Sequence, residues 1–409
     1  MRKKKTLFGC LIACLLLIAW AVQPASGLAE DKVLNYVEIG PLTGPGAGAV
    51  LPVAWGYTDY FKELNGKGGI DGVKINHIPV DSRYDVARGV SIYQRYRKMP
   101  HVILFFTHKS GLTKATLPLM ERDHHITLAS GAGFAQAHIG RAFLLTATYQ
   151  DVFGAALDWM AEDWKKKGKS GPPVVGYLSW EGAYGKQALN GGTEYAAQKG
   201  IKLLPPEFYP TGSLKHDTWL SRLAEQGANY IYVGGVDPSQ TNVIRDANAL
   251  GLTEKIQMVS AEWGLISTVG VRAHPKEVEG AVLSTPQLRG VLAQEHPMAQ
   301  LWAKYRKQPM EDMNPFYLSG IGGGMVIEAA VRIALKDTPW DKINGDVMMK
   351  ALEQLTGQDV TKGIIGKCGY SPTSRVASQQ VRLYQAKGGK IYPITDWVTA
   401  PDCVKLGKW

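Results

Sequence analysis

The sequence predicts an α/β protein built from two doubly wound lobes, and three observations carry this prediction. The chain has 409 residues and is 45% hydrophobic and 20% charged, an ordinary globular composition with room for two or three domains. After residue 30, apolar runs alternate with amphipathic segments, and strands recur roughly every 25 to 30 residues, the length of a βαβ unit. The alternation restarts near residue 150, so two successive α/β sets are expected.

The first set is predicted to contain strands interleaved with helices. In 50–64, apolar residues recur at spacings of three and four, which marks one helical face. The run 101–107 is continuously apolar and is typical of a buried parallel strand, whereas Pro79 favours an edge position or an early end for its strand. The predicted strands are 33–40, 73–81, 101–107, 125–130 and 142–148, and the predicted helices are 50–64, 85–98 and 113–123.

The second set is predicted to begin with a helix capped by Asp151 and to continue in the same alternation. Prolines interrupt one of its strands, 203–209. The predicted strands are 173–180, 203–209, 229–235 and 255–262, and the later helices are 183–199, 216–226 and 239–250.

The remaining chain differs from the two α/β sets. A strand-like run at 280–286 is followed by predicted helices, and 381–394 is typical of a hairpin that turns at Gly388-Gly389. The predicted helices are 301–305, 317–335 and 347–355. Helices that return after the second lobe indicate that the chain crosses back to complete the first.

The N-terminal segment is typical of a secretory signal. MRKKK is a positive n-region, TLFGCLIACLLLIAWAV is an apolar h-region, and QPASGLA supplies small residues before Glu30. We therefore expect residues 1–29 to be a cleaved signal peptide and the mature protein to be periplasmic. Two alternatives stay open: a retained membrane anchor and lipid attachment at Cys14.

The mature composition argues against nucleic acid as a partner. Four of the ten net positive charges lie in the n-region, and the longest basic run elsewhere, Lys165–Lys167, ends a predicted helix where cations are favourable. Only Cys368 and Cys403 remain after the signal is removed. In an oxidising compartment they are expected to form a disulfide near the C-terminus.

Catalytic and cofactor motifs are incomplete. The glycines Gly44, Gly46 and Gly48 follow a strand, but neither the GK[ST] of a phosphate loop nor the third glycine of a dinucleotide fingerprint follows them. No GxSxG, HExxH or CxxC occurs, and the histidines, including His108, lack partners at ligand spacing. We therefore expect a protein that is not an enzyme, with no catalytic residue, metal or cofactor.

Polar and aromatic residues follow the predicted strands at five places. In open α/β sheets ligands bind outside these carboxyl ends. Hydroxyls, backbone amides and a helix N-terminus suit a carboxylate, and a buried carboxylate suits an ammonium. The five places are 108–111, 130–134, Trp180 with Tyr184, Asp237, and Glu262 with Trp263. Together they predict a site for a small zwitterion.

These residues also carry a resemblance to a known family. From VEIGPLTGPGA through NGKGGIDGVKI to VSAEWGL, roughly Val33 to Gly389, the chain resembles the periplasmic solute-binding proteins of branched-chain amino acid ABC importers. The resemblance implies a type I fold of two Rossmann-like lobes joined by three crossovers, a cleft that closes by a hinge, and delivery to a membrane permease with a cytoplasmic ATPase. The lobes would comprise residues 30–149 with about 283–356, and 150–282 with about 357–409.

The resemblance implies roles for individual residues. Ser110 and Gly111 match positions that bind the ligand carboxylate, Tyr184 matches an aromatic residue that closes over the ligand, and Glu262 matches the acid that receives the ammonium. Asp237 lies in a loop that often lines the side-chain pocket. The full predicted ligand-binding set is Ala49, Lys109, Ser110, Gly111, Ala132, Gly133, Phe134, Tyr184, Asp237 and Glu262.

Departures from the family pattern affect the expected ligand. Gly133 lacks the usual hydroxyl, and Lys109 adds a cation that either pairs with the carboxylate or points to solvent. Phe134, Trp180, Trp263 and Trp55 favour a larger or aromatic side chain. We expect a monomer that binds a branched-chain or aromatic amino acid, or a related small carboxylate. The alternative is a ligand-sensing receptor ectodomain that uses the same clamp.

Overall fold

The computed structural model describes residues 31–129, 140–265 and 268–408. The predicted signal segment and three predicted binding residues, Ala132, Gly133 and Phe134, lie outside these ranges. The described chain is organised around two sheets that are mainly parallel.

The first sheet follows the predicted alternation of strands and helices. Its strands are β1 (Val33–Gly40), β2 (Lys74–Asp81), β3 (Val102–Thr107), β4 (Thr127–Ala129) and β5 (Ala142–Leu144). Its helices are α1 (Ala47–Gly66), α2 (Val86–Tyr96) and α3 (Ser110–Asp123). The strands are parallel in the order β2-β1-β3-β4-β5. β3 is buried throughout, and β2, which contains Pro79, is an edge strand, so both predictions from sequence are confirmed.

A second, larger sheet accounts for most of the remaining strands. The strands after β5 are β6 (Val174–Trp180), β7 (Lys202–Leu203), β8 (Glu207–Tyr209), β9 (Tyr230–Val233), β10 (Gln257–Ser260), β11 (Val282–Thr285), β12 (Thr356–Gln358), β13 (Cys368–Gly369), β14 (Gln380–Lys387), β15 (Lys390–Pro393) and β16 (Val398–Thr399). The main path runs β15-β14-β11-β10-β9-β6-β7, while β8 pairs with β6 and β16 with β14. β12 and β13 form a separate pair. The break between β7 and β8 falls at Pro205 and Pro206, as predicted.

The helices that follow α3 cover both sheets. They are α4 (Tyr149–Lys166), α5 (Ala183–Gln187), α6 (Leu189–Gln198), α7 (Asp217–Glu225), α8 (Ser239–Ala249), α9 (Thr268–Ala273), α10 (Gly290–Glu295), α11 (Gln300–Arg306), α12 (Phe316–Asp337) and α13 (Gly345–Leu352). The predicted cap of α4 is wrong by one turn. Thr148 is the N-cap and its hydroxyl accepts from Asp151 N at 3.2 Å. Asp151 instead accepts from Cys403 N, and burial raises its pKa to about 6.

The late helix α12 returns to pack against α1 of the first sheet. Glycines bring the two main chains into contact: a Cβ on Gly56 would overlap the carbonyl of Tyr317, and one on Gly320 would overlap that of Val53. Among the described helices, α12 alone is long and apolar enough to cross a membrane, but most of it is buried in this core.

The C-terminal segment contacts both sheets. Val376 forms a parallel bridge with Leu144 of β5, whereas β14 pairs antiparallel with β11 and continues into β15. Gly388 and Gly389, with φ of 57° and 77°, make the predicted hairpin turn. The chain therefore passes back to the second sheet shortly after residue 376.

The predicted disulfide between Cys368 and Cys403 is not formed, and both residues are buried free thiols. Cys368 lies in β13, where its Sγ donates to Gly366 O at 3.4 Å. Cys403 lies against α4, and its sulfur occupies the space that a Cβ on Gly154 would need. The two residues are close to the C-terminus in sequence, but the chain between them crosses from one sheet to the other. Burial raises the pKa of both thiols, that of Cys368 to about 12.

Candidate functional site

A cavity lies where the carboxyl ends of strands from both sheets meet. We call it the main cavity; it has about 400 Å³ of space outside protein atoms, including space open to solvent. It is lined by Pro41, Gly46, Ala49, Val50, Tyr84, His108, Lys109, Ser110, Tyr149, Tyr184, Val236 and Trp263. Four of the predicted binding residues, Ala49, Lys109, Ser110 and Tyr184, are therefore brought together here.

On the first-sheet side, Ser110 occupies the first position of α3, directly after β3. The amides of a helix's first turn have no acceptors within the helix, and this end carries the positive end of the helix dipole. Ser110 is buried, and its hydroxyl donates to Gln187 Oε1, at the end of α5, at 2.9 Å. Gly111 lies next to it, beside Val86, and is not one of the described residues that line the cavity.

The cation of Lys109 already has partners in the protein. Its Nζ donates to Tyr84 O at 2.6 Å and lies 4.0 Å from the centre of the Tyr84 ring. Burial lowers the pKa of Lys109, and the nearby Asp85 opposes this effect. The side chain thus lines the cavity while its charge is directed to Tyr84.

The second-sheet side is aromatic. Tyr184 packs edge-on against Tyr149 with ring centroids 5.1 Å apart, and its hydroxyl donates to Gly235 O at 2.8 Å. Burial raises the pKa of both tyrosines well above the ordinary value, so both phenols stay protonated at neutral pH. Trp180 packs against Tyr184 at 6.1 Å, whereas Trp55 contacts Trp302 instead of the cavity.

Asp237 lies beside the cavity without its side chain being part of the lining. Its carboxylate accepts from the Thr241 hydroxyl at 2.7 Å, one turn into α8, and its backbone N–H donates to Trp263 O at 2.8 Å. The preceding residue, Val236, lines the cavity. In this arrangement the loop after β9 contributes apolar surface.

Glu262 lines a smaller space that adjoins the main cavity at Trp263. This inner chamber has about 170 Å³ of space outside protein atoms, including space open to solvent, and is lined by Thr146, Glu262, Trp263, Pro286, Gln287 and Arg289. Glu262 is 4% exposed, and neither carboxylate oxygen has a hydrogen-bond partner among the described residues. Burial raises the pKa of Glu262 from 4.5 to about 8, and the indole of Trp263 and the charge of Arg289 lower it only in part.

Arg289 is the second ionisable group of the inner chamber. It follows β11 in the segment PQLRG and is 1% exposed. Burial lowers the pKa of Arg289 to about 10, so the guanidinium remains charged at neutral pH. An arginine held in this way at a strand end is a candidate for contact with an acidic ligand group.

A buried charge cluster supports the first-sheet wall. Glu38 of β1 accepts from His77 Nε2 at 2.8 Å and from His108 Nε2 at 2.5 Å, and His108 lines the main cavity. Burial acts to raise the pKa of Glu38, but the hydrogen bonds from His108 and His77 outweigh it and hold the pKa below 4.5. The cluster fixes His108 against the cavity.

Sequence reasoning missed several lining residues. Tyr84, Tyr149, Thr146 and Arg289 were not in the predicted set, although all four line the described cavities. Arg289 carries the same signal as Glu262, a polar residue just after a buried strand, and could have been found by it. Tyr84 and Tyr149 come from a loop and a helix start, where the sequence gives no comparable signal.

Strand ends of both sheets border the main cavity, and comparison with known proteins gives the family. Residues 39–390 match the sequence profile described as "Periplasmic binding protein". The chain therefore belongs to the periplasmic binding protein family, and the predicted family and type I fold are confirmed.

Individual relatives are distant in sequence but similar in fold. Leu/Ile/Val-binding protein homolog 2 of Brucella abortus (strain 2308) is 23% identical over 332 residues, which cover 76% of this chain and 84% of that protein. A branched chain amino acid ABC transporter protein from Thermus thermophilus with bound valine has a TM-score of 0.80 and 19% identity, covering 92% of this chain and 98% of that one. A solute binding protein of an ABC transporter from Rhodopseudomonas palustris HaA2, in complex with p-hydroxybenzoic acid, has a TM-score of 0.74 and 14% identity, covering 91% and 98%.

Proposed function

We propose that this chain is the periplasmic binding component of an ABC importer and that it captures an amino acid or a related small carboxylate. The single observation that carries the proposal is the pairing of Ser110, at the start of α3, with the buried and unpartnered Glu262 across adjoining spaces. One end can bind an anion, and the other can bind a cation. The family assignment supports the transport role.

The carboxylate end is proposed to be the first turn of α3. Its free amides, the helix dipole and the hydroxyl of Ser110 suit a carboxylate. The present partner of that hydroxyl is Gln187, the last residue of α5. A ligand carboxylate would therefore replace one neutral hydrogen bond with a charge-assisted one.

The cationic end is proposed to be Glu262. An ammonium beside Glu262 would provide the counter-charge that the described residues do not supply within hydrogen-bonding distance, and it would favour the ionised carboxylate. The aromatic rings of Tyr149, Tyr184 and Trp263 would enclose the side chain of a branched-chain or aromatic amino acid. Binding of valine by the Thermus protein and of p-hydroxybenzoic acid by the Rhodopseudomonas protein is consistent with this range.

We further propose that capture closes two lobes about a hinge. The first lobe would comprise 30–149 and a second piece that starts at about residue 286, after β11 of the second sheet, and the second lobe would comprise the rest of the chain from residue 150. Since Val376 pairs with Leu144 of the first sheet, the last crossing is proposed to lie near residue 378. Contacts such as Ser110 to Gln187 join the two walls, and a ligand that touches both walls would favour the closed state. The mature protein would act as a monomer and deliver its ligand to membrane permease subunits.

The test is calorimetry on refolded, ligand-free protein with L-leucine, L-phenylalanine and 4-hydroxybenzoate. At least one of these compounds is expected to bind, and a ligand at a hundred times its Kd should add about 2.7 kcal/mol of stability. Glu262→Gln should weaken binding of the amino acids about 10- to 100-fold, because it removes a charge-assisted hydrogen bond. Ser110→Ala should weaken all three carboxylates about 3- to 10-fold.

A matched control is Glu295→Gln, which changes an exposed glutamate outside the site and should leave the affinities unchanged. Small-angle scattering with the tightest compound should give a smaller radius of gyration than the ligand-free protein. The proposal fails if Glu262→Gln binds amino acids as tightly as the unchanged protein, or if no compound binds.

A further inference from the structure

The inner chamber contains a buried guanidinium that has no acidic partner in the protein. Arg289 is 1% exposed, and no carboxylate among the described residues lies within the 4.0 Å of an ion pair. Its positive charge is therefore buried, and a buried charge without a counter-charge is costly.

The partners of Arg289 are neutral. Nη1 donates to Leu288 O at 2.9 Å and to Ser319 Oγ at 3.1 Å, and Nη2 donates to Gln287 Oε1. The guanidinium also lies 4.6 Å from the ring centre of Phe316. These contacts hold the group in place, but Nε has no hydrogen-bond partner. One N–H group of the guanidinium therefore has no acceptor, in a residue that lines the inner chamber.

Glu262 does not neutralise Arg289 by direct contact. Both residues line the inner chamber, yet they are not within ion-pair distance, and both carboxylate oxygens of Glu262 are unpartnered. The chamber thus offers a guanidinium and a separate carboxyl group that can ionise beside a cationic ligand group. A ligand that reaches it can contact each of them with a different group.

We propose that Arg289 binds a second acidic group of the ligand, so that the site prefers compounds with a carboxylate at each end. This assignment rests on the proposed function, in which the first carboxylate lies at Ser110. Trp263 borders both the main cavity and the inner chamber, so a ligand anchored at Ser110 passes Trp263 before it reaches Arg289. The planar guanidinium suits a carboxylate in geometry as well as in charge.

The test uses two pairs of compounds that differ in the far acid. L-glutamate is compared with L-glutamine, and benzene-1,4-dicarboxylate with 4-hydroxybenzoate, by calorimetry at low salt. At least one diacid is expected to bind ten times more tightly than the counterpart that lacks the far acid, because it gains a charge-assisted contact. Arg289→Gln should abolish this preference and leave the affinity for the monoacid within about threefold. Arg95→Gln, which removes an exposed arginine, should keep the preference.

The ratio of the affinities for a diacid and its counterpart shows whether Arg289 contacts the ligand or only supports the structure. If Arg289 only held Ser319 and Gln287 in place, its loss would weaken the binding of both compounds of a pair equally. If Arg289→Gln does not fold, Arg289→Lys is tested instead. It keeps the positive charge but lacks the planar guanidinium, and it should retain a smaller preference for the diacid. The assignment fails if neither diacid is preferred, or if the preference survives in Arg289→Gln. When L-leucine or L-phenylalanine binds in the same series, that failure leaves the proposed function intact; when no compound binds, both fail.

Discussion

The buried carboxyl of Glu262 makes the stability of the ligand-free protein depend on pH in a defined direction. Burial raises its pKa from 4.5 to about 8 in the folded protein, whereas in the unfolded chain the group titrates near its ordinary value. Between these two values the folded state binds more protons than the unfolded state. The free energy of unfolding therefore falls as pH rises through this interval.

The size of this effect on the free energy of unfolding follows from the difference between the two pKa values of Glu262. From 4.5 to about 8, at 1.36 kcal/mol per pH unit, Glu262 should cost about 5 kcal/mol at pH 8.5 and about 3 kcal/mol at pH 7. Glu262→Gln keeps the shape and cannot ionise. Relative to the unchanged protein, this variant should be about equally stable at pH 4.5 and become more stable by these amounts at higher pH.

The assay is urea denaturation of ligand-free protein at pH 4.5, 7 and 8.5, since a bound amine would mask the effect. Glu295→Gln serves as the exposed control and should follow the unchanged protein at every pH. If the curve for Glu262→Gln runs parallel to that of the unchanged protein, Glu262 is not the buried proton-binding group inferred here.

Calorimetry of ligand binding gives an independent check on the same group. At pH 6.5 the free protein holds a proton on Glu262, and a ligand ammonium should displace it. In buffers of different ionisation enthalpy, binding of an amino acid should release about one proton, and binding of 4-hydroxybenzoate should release none. Equal proton release by the two ligand classes would contradict this account.

Three further predictions concern the fold. Gly320→Ala should lower the free energy of unfolding by about 2 to 4 kcal/mol, because its Cβ would overlap the main chain of α1. The control Gly66→Ala, whose Cβ would meet nothing within 4 Å, should change it by less than about 1 kcal/mol. Urea denaturation measures both variants, and equal effects would contradict the close contact between α1 and α12. Glu38→Gln should lower the free energy of unfolding by about 3 kcal/mol at pH 7. Because the pKa of Glu38 in the folded protein lies below 4.5, this loss of stability should shrink as pH falls below 4.5. An equal loss at pH 7 and pH 3.5 would show that the charge of Glu38 does not stabilise the fold. Cys368 and Cys403 should both be alkylated by iodoacetamide in unfolded, unreduced protein, and dithiothreitol should not shift the Tm; an unalkylated pair would mean that a disulfide forms.

Much of the strand and helix order could be predicted because the signals are local. The apolar run before His108 identifies β3, the prolines at 205 and 206 split β7 from β8, and Gly388-Gly389 marks the hairpin turn. Each of these features depends on neighbouring residues alone. The cap of α4 was misplaced by one turn because Thr148 and Asp151 are both good capping residues, and only the backbone geometry distinguishes them.

The candidate site was predictable where a polar residue follows a buried strand. Ser110 and Glu262, which line the described cavities, were predicted in this way, since parallel strands end at one edge of a sheet. The side chain of Asp237 accepts a hydrogen bond from Thr241 near the start of α8 and does not line the described cavity. Its position after a buried strand does not reveal this difference. Tyr149 enters the cavity through the packing of α4 against the second sheet, which no local pattern specifies.

By itself the sequence determined the α/β class, the repeat of the alternation and the residues at the strand ends, because periodicity and turn chemistry act over a few positions. The tertiary structure decided which distant groups meet. It placed Cys368 and Cys403 apart although both lie near the C-terminus, and it brought Arg289 into the chamber of Glu262. Such pairings depend on the order of strands in the two sheets and on where the chain crosses between them, and these are set by burial of the whole core.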